Sequence, residues 1–439
     1  MEYSAEAFDQ IQLLFDSTGF NDHQLHCVLR FDRCLNEDVL KNAVMASIEA
    51  IPILGTRYIA GARPRWTSLD PKAFDRAFLF AQDETELEDF VVSRVDEGLG
   101  PQVRVCLLNS MPFAVALKMN HMVCDGADFK AYLYFLCDIY SRMMADPGYR
   151  PAAVTGDRSL GRVLKRFGLR DRLKSLLVQH RENNLRGGAR FPLSDDTEVR
   201  PFILIRKLAR KKTAALKNCG KAKGATLNDV VLTAYYRCLF QRLALRPGTE
   251  LRIPVMVDMR RHIEKSRKLK SLTNLSSTVS THLDLRPGEH FEETLHRVKS
   301  IMDLKKGANL GLNAFIKVGF IYRYLSDRIA NRIARSMLRN PLICMTNMCV
   351  LDSSQMSFGD LLPRDAFMCG SIKYKPHFQL AASSYEGELT LSVNLSGSAG
   401  DRDCILSFLA QVDAELSRWE LSQRSHPCTE LHPLEAPCR

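Results

Sequence analysis

A histidine and an aspartate four residues apart are the part of this 439-residue sequence whose side-chain types and spacing could do chemistry. His121, Asp125 and Gly126 follow an apolar run at 113–119 and precede a stretch with helical spacing at 127–144. A histidine at such a junction can be partly exposed and can titrate near neutrality, which suits proton transfer. The glycine relaxes the backbone demand of the turn. A satisfied histidine at a strand end fits the same spacing.

Strand-like and helical patterns alternate along the chain and indicate a mixed α/β fold. In the first half we expect strands at 24–31, 103–108 and 113–119 and helices at 37–49, 84–97 and 127–144. In the second half we expect strands at 202–207, 251–257, 276–283, 342–351, 378–384 and 389–395, and helices at 211–217, 227–243, 291–304, 313–338 and 403–418. Glu386-Gly387 predicts a hairpin turn between the last two strands.

The chain is too long for one ordinary hydrophobic core, so two units of about 200 residues are expected. We predict an N-terminal lobe at 1–157, a basic crossover at 158–199, a C-terminal lobe at 200–425 and a disordered tail at 426–439. Two basic segments with apolar stripes, in the crossover and at 313–338, are typical of solvated helices. They would also suit peripheral contact with an anionic membrane or an acidic carrier domain.

The net charge of +11 favours anionic partners such as a phosphorylated cofactor, an acidic carrier protein, an anionic membrane or nucleic acid. Nucleic acid is disfavoured because the basic residues are not interleaved with aromatic residues. The thirteen cysteines contain no CxxC pair, which argues against a disulfide framework or a zinc site. No signal peptide and no transmembrane run is evident, and we expect a cytoplasmic protein, with peripheral membrane attachment as an alternative.

The segment from Asn120 to Gly126, by its sequence and its position, resembles the HxxxDG motif of the chloramphenicol acetyltransferase-like superfamily. This superfamily includes condensation domains, BAHD acyltransferases, wax ester synthases and polyketide-associated acyltransferases. Further segments are similar to recurrent blocks of the family and occur in the same order: Leu35-Asn36-Glu37-Asp38-Val39-Leu40 through Ile51-Pro52-Ile53-Leu54, Ala225-Thr226-Leu227-Asn228-Asp229-Val230-Val231, Pro254-Val255-Met256-Val257-Asp258-Met259-Arg260-Arg261, and Thr346-Asn347.

The resemblance implies two lobes, each a mixed sheet with flanking helices, and an active-site tunnel between them. His121 would be the general base of an acyltransferase that moves an acyl group from acyl-CoA to a hydroxyl or amine. Transfer would be direct, without an acyl-enzyme, a metal or a bound cofactor. Asp125 would be structural and would pair with Arg260, and Gly126 would form the motif turn. Thr346 and Asn347 would be oxyanion or substrate contacts.

Two positions depart from the family pattern. Asn120 stands where condensation domains usually have a first histidine, and Cys349 stands where a glycine often follows the Ser/Thr-Asn pair. Two alternatives therefore stay open: a condensation-type enzyme whose donor is tethered to an acyl carrier protein, and a non-catalytic scaffold. We expect Cys124 and Cys349 to be core residues rather than nucleophiles.

Overall fold

The computed structural model describes residues 2–178, 189–263, 269–307, 311–325, 327–337 and 342–425. The first half contains β1 (Glu2–Ser4), α1 (Ala7–Ser17), β2 (Gln24–Arg30), α2 (Glu37–Ala50), β3 (Thr56–Ile59), β4 (Arg65–Ser68), β5 (Phe78–Ala81), α3 (Glu84–Val92), β6 (Val103–Leu108), β7 (Ala114–Asn120) and α4 (Gly126–Ala145). Two helices follow, α5 (Gly161–Leu164) and α6 (Leu169–Val178).

The second half is richer in strands. It contains β8 (Arg200–Leu208), α7 (Arg210–Ala222), α8 (Leu227–Arg242), β9 (Glu250–Asp258), β10 (Ser276–Asp284), α9 (Phe291–Gly307), α10 (Leu312–Tyr324), α11 (Asp327–Met337), β11 (Ile343–Leu351), β12 (Asp365–Cys369), β13 (Lys373–Tyr374), β14 (Phe378–Tyr385), β15 (Glu388–Gly397) and α12 (Ala399–Ser425). Within these ranges, no helix has the length and apolar character needed to cross a membrane.

Three sheets organise the described residues. Strands of the first half form a small antiparallel sheet, β1-β4-β3, and most of a larger one, β12-β2-β7-β6-β5. The second half forms the order β10-β9-β11-β14-β15-β13, with β8 on β15. Strand β12 belongs to the second half but pairs antiparallel with β2 of the first half. The mixed α/β fold predicted from the sequence is therefore confirmed, and the second half contributes one strand to the sheet of the first half.

Each larger sheet buries apolar side chains under helices. In the first half, α2 and α4 pack on each other and cover one face of the sheet with a core that includes Leu117, Phe129 and Leu133. In the second half, α8 and α12 do the same around Tyr235 and Phe408. Burial of this apolar surface is the main favourable contribution to the folded state.

The beginning of the basic crossover is anchored in the structure. Leu160 and Val163 are buried against α1 and α10. Arg158 forms an ion pair with the buried Asp9 of α1, with 3.0 Å between its Nη2 and Oδ1 of the carboxylate. The indole of Trp66 donates to the same carboxylate over 2.9 Å. Residues 179–188 of the crossover and the predicted tail at 426–439 lie outside the described residues.

Several element predictions need correction. The helix expected at 84–97 ends at Val92, because Ser93 is extended and its hydroxyl donates to the carbonyl of Phe90. The single helix expected at 313–338 is two helices, α10 and α11, since the chain turns extended at Leu325. The predicted turn at Glu386-Gly387 is confirmed. Both residues have positive φ, 47° and 79°, as a tight hairpin between β14 and β15 requires.

We predict that Asp9→Asn lowers the free energy of unfolding by about 3 kcal/mol, because it leaves the guanidinium of Arg158 without a counter-charge. Urea unfolding followed by circular dichroism measures the effect. The matched control is Asp360→Asn, which removes an ion pair with Arg33. The side chain of Asp360 is 76% exposed and that of Arg33 is 65% exposed. The control should unfold like the wild type. Equal midpoints for all three proteins would show that Asp9 does not anchor the crossover.

Candidate active site

His121 directly follows the last residue of β7, in a turn that the neighbouring segments hold on both sides. Its backbone N–H donates to the carbonyl of His23 over 2.7 Å. The side-chain amide of Asn274, which precedes β10 in the second half, donates to the carbonyls of His121 and Met122 over 2.8 and 3.0 Å. The position of the histidine is therefore fixed jointly by both halves of the chain.

The surroundings of the imidazole select one tautomer. Nδ1 of His121 lies 2.8 Å from the carbonyl oxygen of Cys124 and 3.1 Å from Oδ1 of Asn274. A carbonyl oxygen can only accept, so Nδ1 carries the proton and donates it. Nε2 then holds the lone pair. Because His121 lines a cavity, this arrangement makes the histidine available as a proton acceptor.

Burial lowers the pKa of His121 below its ordinary value of 6.5. Hydrogen bonds to its surroundings and the charge of Asp125 oppose the shift in pKa, and the positive charge of Lys373 adds to it. The net direction keeps the imidazole neutral at pH 7. A neutral imidazole is the form that can take a proton.

Asp125 is engaged in structure rather than directed at the cavity. Its Oδ1 caps α4 by accepting from the backbone N–H groups of Ala127 and Asp128 over 3.1 and 3.2 Å. Its Oδ2 accepts from the N–H of Leu275 over 2.7 Å and from the hydroxyl of Ser276 over 3.0 Å. An N-cap aspartate favours the start of a helix. Here the same carboxylate also holds the start of β10.

Arg260 lies beside this carboxylate, with its Nη1 at 2.8 Å from Oδ2 of Asp125 and its Nη2 at 2.7 Å from Oδ2 of Asp128. Burial raises the pKa of Asp125, but the charge and hydrogen bond of Arg260 outweigh it, and the net pKa is lowered. Burial raises the pKa of Asp128, and the charge of Asp125 adds to this increase. Arg260 also contacts Asp258 at 3.1 Å. One arginine thus joins three carboxylates from both halves.

A cavity of about 900 Å³ lies beside His121. It is lined by parts of both halves, including α1, α4, β9, β10, α10 and β11. Among the described residues, its charged lining consists of six basic and two acidic side chains: Lys130, Arg252, Arg260, Arg261, Lys317, Lys373, Asp128 and Asp258. The cavity is large enough for a substrate of drug-like size and favours negative charge.

The two oxyanion candidates lie on β11 in the lining of this cavity. Thr346 is largely buried, and the structure gives its hydroxyl no partner within the described ranges. Asn347 is more constrained, because its amide donates to Oδ1 of Asn228 over 3.0 Å and its carbonyl oxygen accepts from the N–H of Cys349 over 2.7 Å. Of the two, the threonine hydroxyl is the more available donor.

Cys349 differs from its prediction as a core residue. It is exposed, lines the cavity and has a φ of 64°, at a point where the register between β11 and β14 shifts. This left-handed backbone conformation explains why a glycine would suit the position. Cys124, in contrast, is fully buried as expected, and burial raises the pKa of its thiol well above the ordinary value.

Gly126 and Asn120 also have roles that the structure defines. Gly126 is the first residue of α4 and lacks the positive φ of a turn glycine. A side chain there would meet Met348, whose Cε would lie 2.7 Å from an added Cβ. Asn120 is buried and bonded to Gln102 Oε1 and the Met122 N–H, so its side chain supports the turn.

Three further residues of the site were missed in the sequence. Asn274 and Lys373 lie in loops or short strands remote from the motif, and no local pattern marks them. Asp128 had a usable signal, since it lies one helical turn after Asp125 at the start of a predicted helix. Within the described residues, no cluster of His, Cys, Asp or Glu is arranged to hold a metal ion.

Comparisons with known proteins relate this architecture to solved structures. No protein-family model matches the chain, and no curated protein matches its sequence. Polyketide synthase associated protein 5 from Mycobacterium tuberculosis superposes with a TM-score of 0.68 at 14% identity, covering 95% of this chain and 97% of that protein. The first condensation domain of the calcium-dependent antibiotic synthetase gives 0.69 at 15% identity, covering 98% and 97%.

An acetyltransferase gives a similar match. Trichothecene 15-O-acetyltransferase from Fusarium sporotrichioides superposes with a TM-score of 0.67 at 11% identity, covering 94% of this chain and 95% of that protein. The chain therefore shares the two-lobed fold of these condensation domains and acetyltransferases, as predicted from its sequence.

The tautomer of His121 can be measured directly. Two-dimensional NMR of ¹⁵N-labelled protein should show His121 protonated at Nδ1 at pH 7, with a pKa below 6.5 because burial disfavours the imidazolium. The signal is assigned by its loss in His121→Gln. A proton on Nε2 at pH 7, or a pKa above 6.5, would contradict the hydrogen bonding described for the ring.

Asp125→Ala should lower the free energy of unfolding by about 3–5 kcal/mol, because the N-terminus of α4 and the start of β10 lose their acceptor and Arg260 loses one of its three carboxylates. The pKa of Asp125 is lowered in the folded protein, so its contribution is complete above the ordinary carboxyl pKa and is lost as pH falls below about 4. Urea unfolding of the variant and the wild type at pH 7 measures the predicted loss in the free energy of unfolding.

The control for this change is Asp138→Ala on the outer face of α4, where Asp138 forms an exposed pair with Arg142. This variant should unfold within error of the wild type. If Asp125→Ala were as stable as the control, the aspartate would not hold the two halves together.

Proposed function

We propose that this protein is an acyltransferase that moves an acyl group from a thioester to a hydroxyl or amine, with His121 as the general base. The observation that carries the proposal is the neutral imidazole whose Nδ1 is occupied by the carbonyl of Cys124 and whose ring lines a cavity between the two halves. The shared fold with acetyltransferases and condensation domains supports this class of reaction.

The reaction would proceed in two steps. Nε2 of His121 takes the proton from the acceptor while the acceptor oxygen or nitrogen forms a bond with the thioester carbonyl carbon. The resulting tetrahedral oxyanion collapses, the carbon–sulfur bond breaks, and the imidazolium returns the proton to the departing thiolate. Asn274 and the Cys124 carbonyl hold the ring throughout and stabilise the protonated form by accepting from Nδ1.

The oxyanion needs a donor, and Thr346 is the candidate that the hydrogen bonding favours. A donor directed at the developing negative charge lowers the barrier more than one that binds the ground state. Asn347 would have to give up its bond to Asn228 before its amide could serve. We therefore assign the threonine hydroxyl as the first choice and Asn347 as an orienting neighbour.

Direct transfer agrees with the chemistry of the motif cysteine. Cys124 is the cysteine of the motif, three residues after His121. A thiol acts as a nucleophile only as the thiolate. Its burial and raised pKa keep it protonated. A covalent acyl-enzyme through this residue is thus disfavoured.

The lining of the cavity suits a donor with an apolar acyl chain and anionic phosphates. Phe8, Ile11 and Phe15 of α1 and Ile321 of α10 give part of it an apolar surface. The excess of basic lining residues described above attracts phosphate groups. Acyl-CoA combines both properties and is our preferred donor. One solved structure with this fold is a condensation domain in complex with C8-CoA.

We predict that His121→Ala lowers acceptor-dependent thiol release by about 100- to 10,000-fold, the usual contribution of a general base. The assay uses a panel of acyl-CoAs from acetyl to palmitoyl with mixed alcohols and amines. His296 is exposed and lies outside the lining of the cavity. It supplies the control variant His296→Ala, which should retain wild-type turnover.

A loaded acyl carrier protein is the second donor in the same assay. Turnover with the loaded carrier protein but not with acyl-CoA would show that the donor is tethered to a carrier. The role of His121 would stay the same. A folded wild-type protein that releases thiol from neither donor would contradict catalysis and favour a scaffold function.

A further inference from the structure

A buried lysine in the cavity has no role in the reaction described above. Lys373 is 8% exposed and lines the same cavity as His121. The backbone of β13 fixes its position, since Lys373 is paired with Leu395 of β15 on one side and bridged to Asn21 on the other. The ammonium group is therefore presented to the cavity by a rigid part of the fold rather than by a surface loop.

Few groups of the protein compensate the positive charge of the Lys373 ammonium. Its Nζ donates to Oδ1 of Asn21 over 2.9 Å, and Asn21 is held by its own bond to the carbonyl of Asp22. Among the described residues, no carboxylate lies within 4.0 Å of Lys373 Nζ. Asp22 contributes negative charge nearby, but its Oδ1 accepts from the backbone N–H groups of Gln24 and Ile372. A buried charge without a paired partner is costly unless a ligand completes it.

The surroundings of Lys373 are those of a polar subsite. Ser371 and Gln379 lie in the same part of the sequence, are 5% and 8% exposed, and line the cavity together with Gly370 and Asn21. A hydroxyl, an amide and an ammonium group therefore contribute to the lining of the same cavity. Such a set can hydrogen-bond both oxygens of a carboxylate while the ammonium supplies the charge.

The position of Lys373 relative to His121 indicates which part of a substrate would carry the negative charge. Lys373 is bridged to Asn21, which lies two residues before His23, and the backbone carbonyl of His23 accepts from the N–H of His121. The positive charge of Lys373 also acts on the imidazole. The phosphates of CoA are separated from its sulfur by the whole pantetheine arm, so they cannot lie beside the base while the thioester does. The anion next to His121 must belong to one of the two reacting groups.

We propose that Lys373 binds a carboxylate of the acceptor, so that the preferred acceptors are hydroxy acids or amino acids. This inference rests on the proposed acyl transfer. Lys373 is a specificity-determining residue in this account. It orients the acceptor so that the hydroxyl or amine faces Nε2 of His121, which restricts the acceptor before chemistry begins.

The test compares each acceptor acid with its neutral amide, using lactate against lactamide and phenylalanine against phenylalaninamide. In the wild type, kcat/KM should favour the acid by about 10- to 100-fold, the value of a hydrogen bond to a charged group. In Lys373→Met this ratio should fall to near one. The variant Lys223→Met changes a surface lysine outside the lining of the cavity and should keep the wild-type ratio. Lys373→Gln, which can still donate to Asn21, replaces the methionine variant if that protein does not fold.

A second measurement separates this inference from the proposed function. Calorimetric titration with lactate and lactamide in the absence of donor should show acid-selective binding that is lost in Lys373→Met. Selective binding without turnover would retain the carboxylate subsite and contradict acyl transfer. Turnover without any acid preference, or with a preference that Lys373→Met keeps, would overturn the subsite.

Two results would show that Lys373 binds an anionic group of the donor. Either result would overturn the proposal that it binds a carboxylate of the acceptor. One is a preference for succinyl-CoA over butanoyl-CoA that Lys373→Met abolishes, which would place the carboxylate on the acyl group. The other is a loss of affinity for CoA itself in that variant, which would place a phosphate there.

Discussion

The buried ion cluster around Arg260 is the interaction on which the site depends. Five donors point at the carboxylate of Asp125, two from the start of α4, two from the start of β10 and one from Arg260. Removing a buried charge of this kind costs more than a surface ion pair, because the remaining partners lose their compensation. The cluster joins the motif turn to the second half, and it does so without occupying the histidine.

This separation of tasks explains the motif. The aspartate holds the turn and the N-terminus of α4, and the glycine lets the helix approach Met348. The histidine supplies the one side chain of the motif that lines the cavity. Asn274 then ties the turn to the loop before β10 and accepts from the imidazole. A ring held in this way needs little reorganisation when it takes a proton, which is the condition for effective acid–base catalysis.

Much of the fold was accessible from the sequence, because long amphipathic helices and apolar strands carry periodic patterns. The strands β2, β6 and β7 and the helices α2, α4 and α8 were predicted within a few residues. Short elements such as β1, β3 and β13 have too few residues to show a period. The pairing of β12 with β2 joins residues more than 300 positions apart, and no local pattern encodes such a contact. Asn274 and Lys373 were missed because they also lie far from the motif in the sequence, where no local pattern indicates that they reach the site.

The pH dependence of acyl transfer tests the central claim most directly. If His121 is the general base, kcat/KM should be constant near pH 7 and fall as pH drops through the pKa of His121, which lies below 6.5. That kinetic pKa should equal the value from NMR for the same residue in the free protein. An acidic limb at a clearly different pH, or one that persists unchanged in His121→Ala, would contradict proton transfer at this histidine.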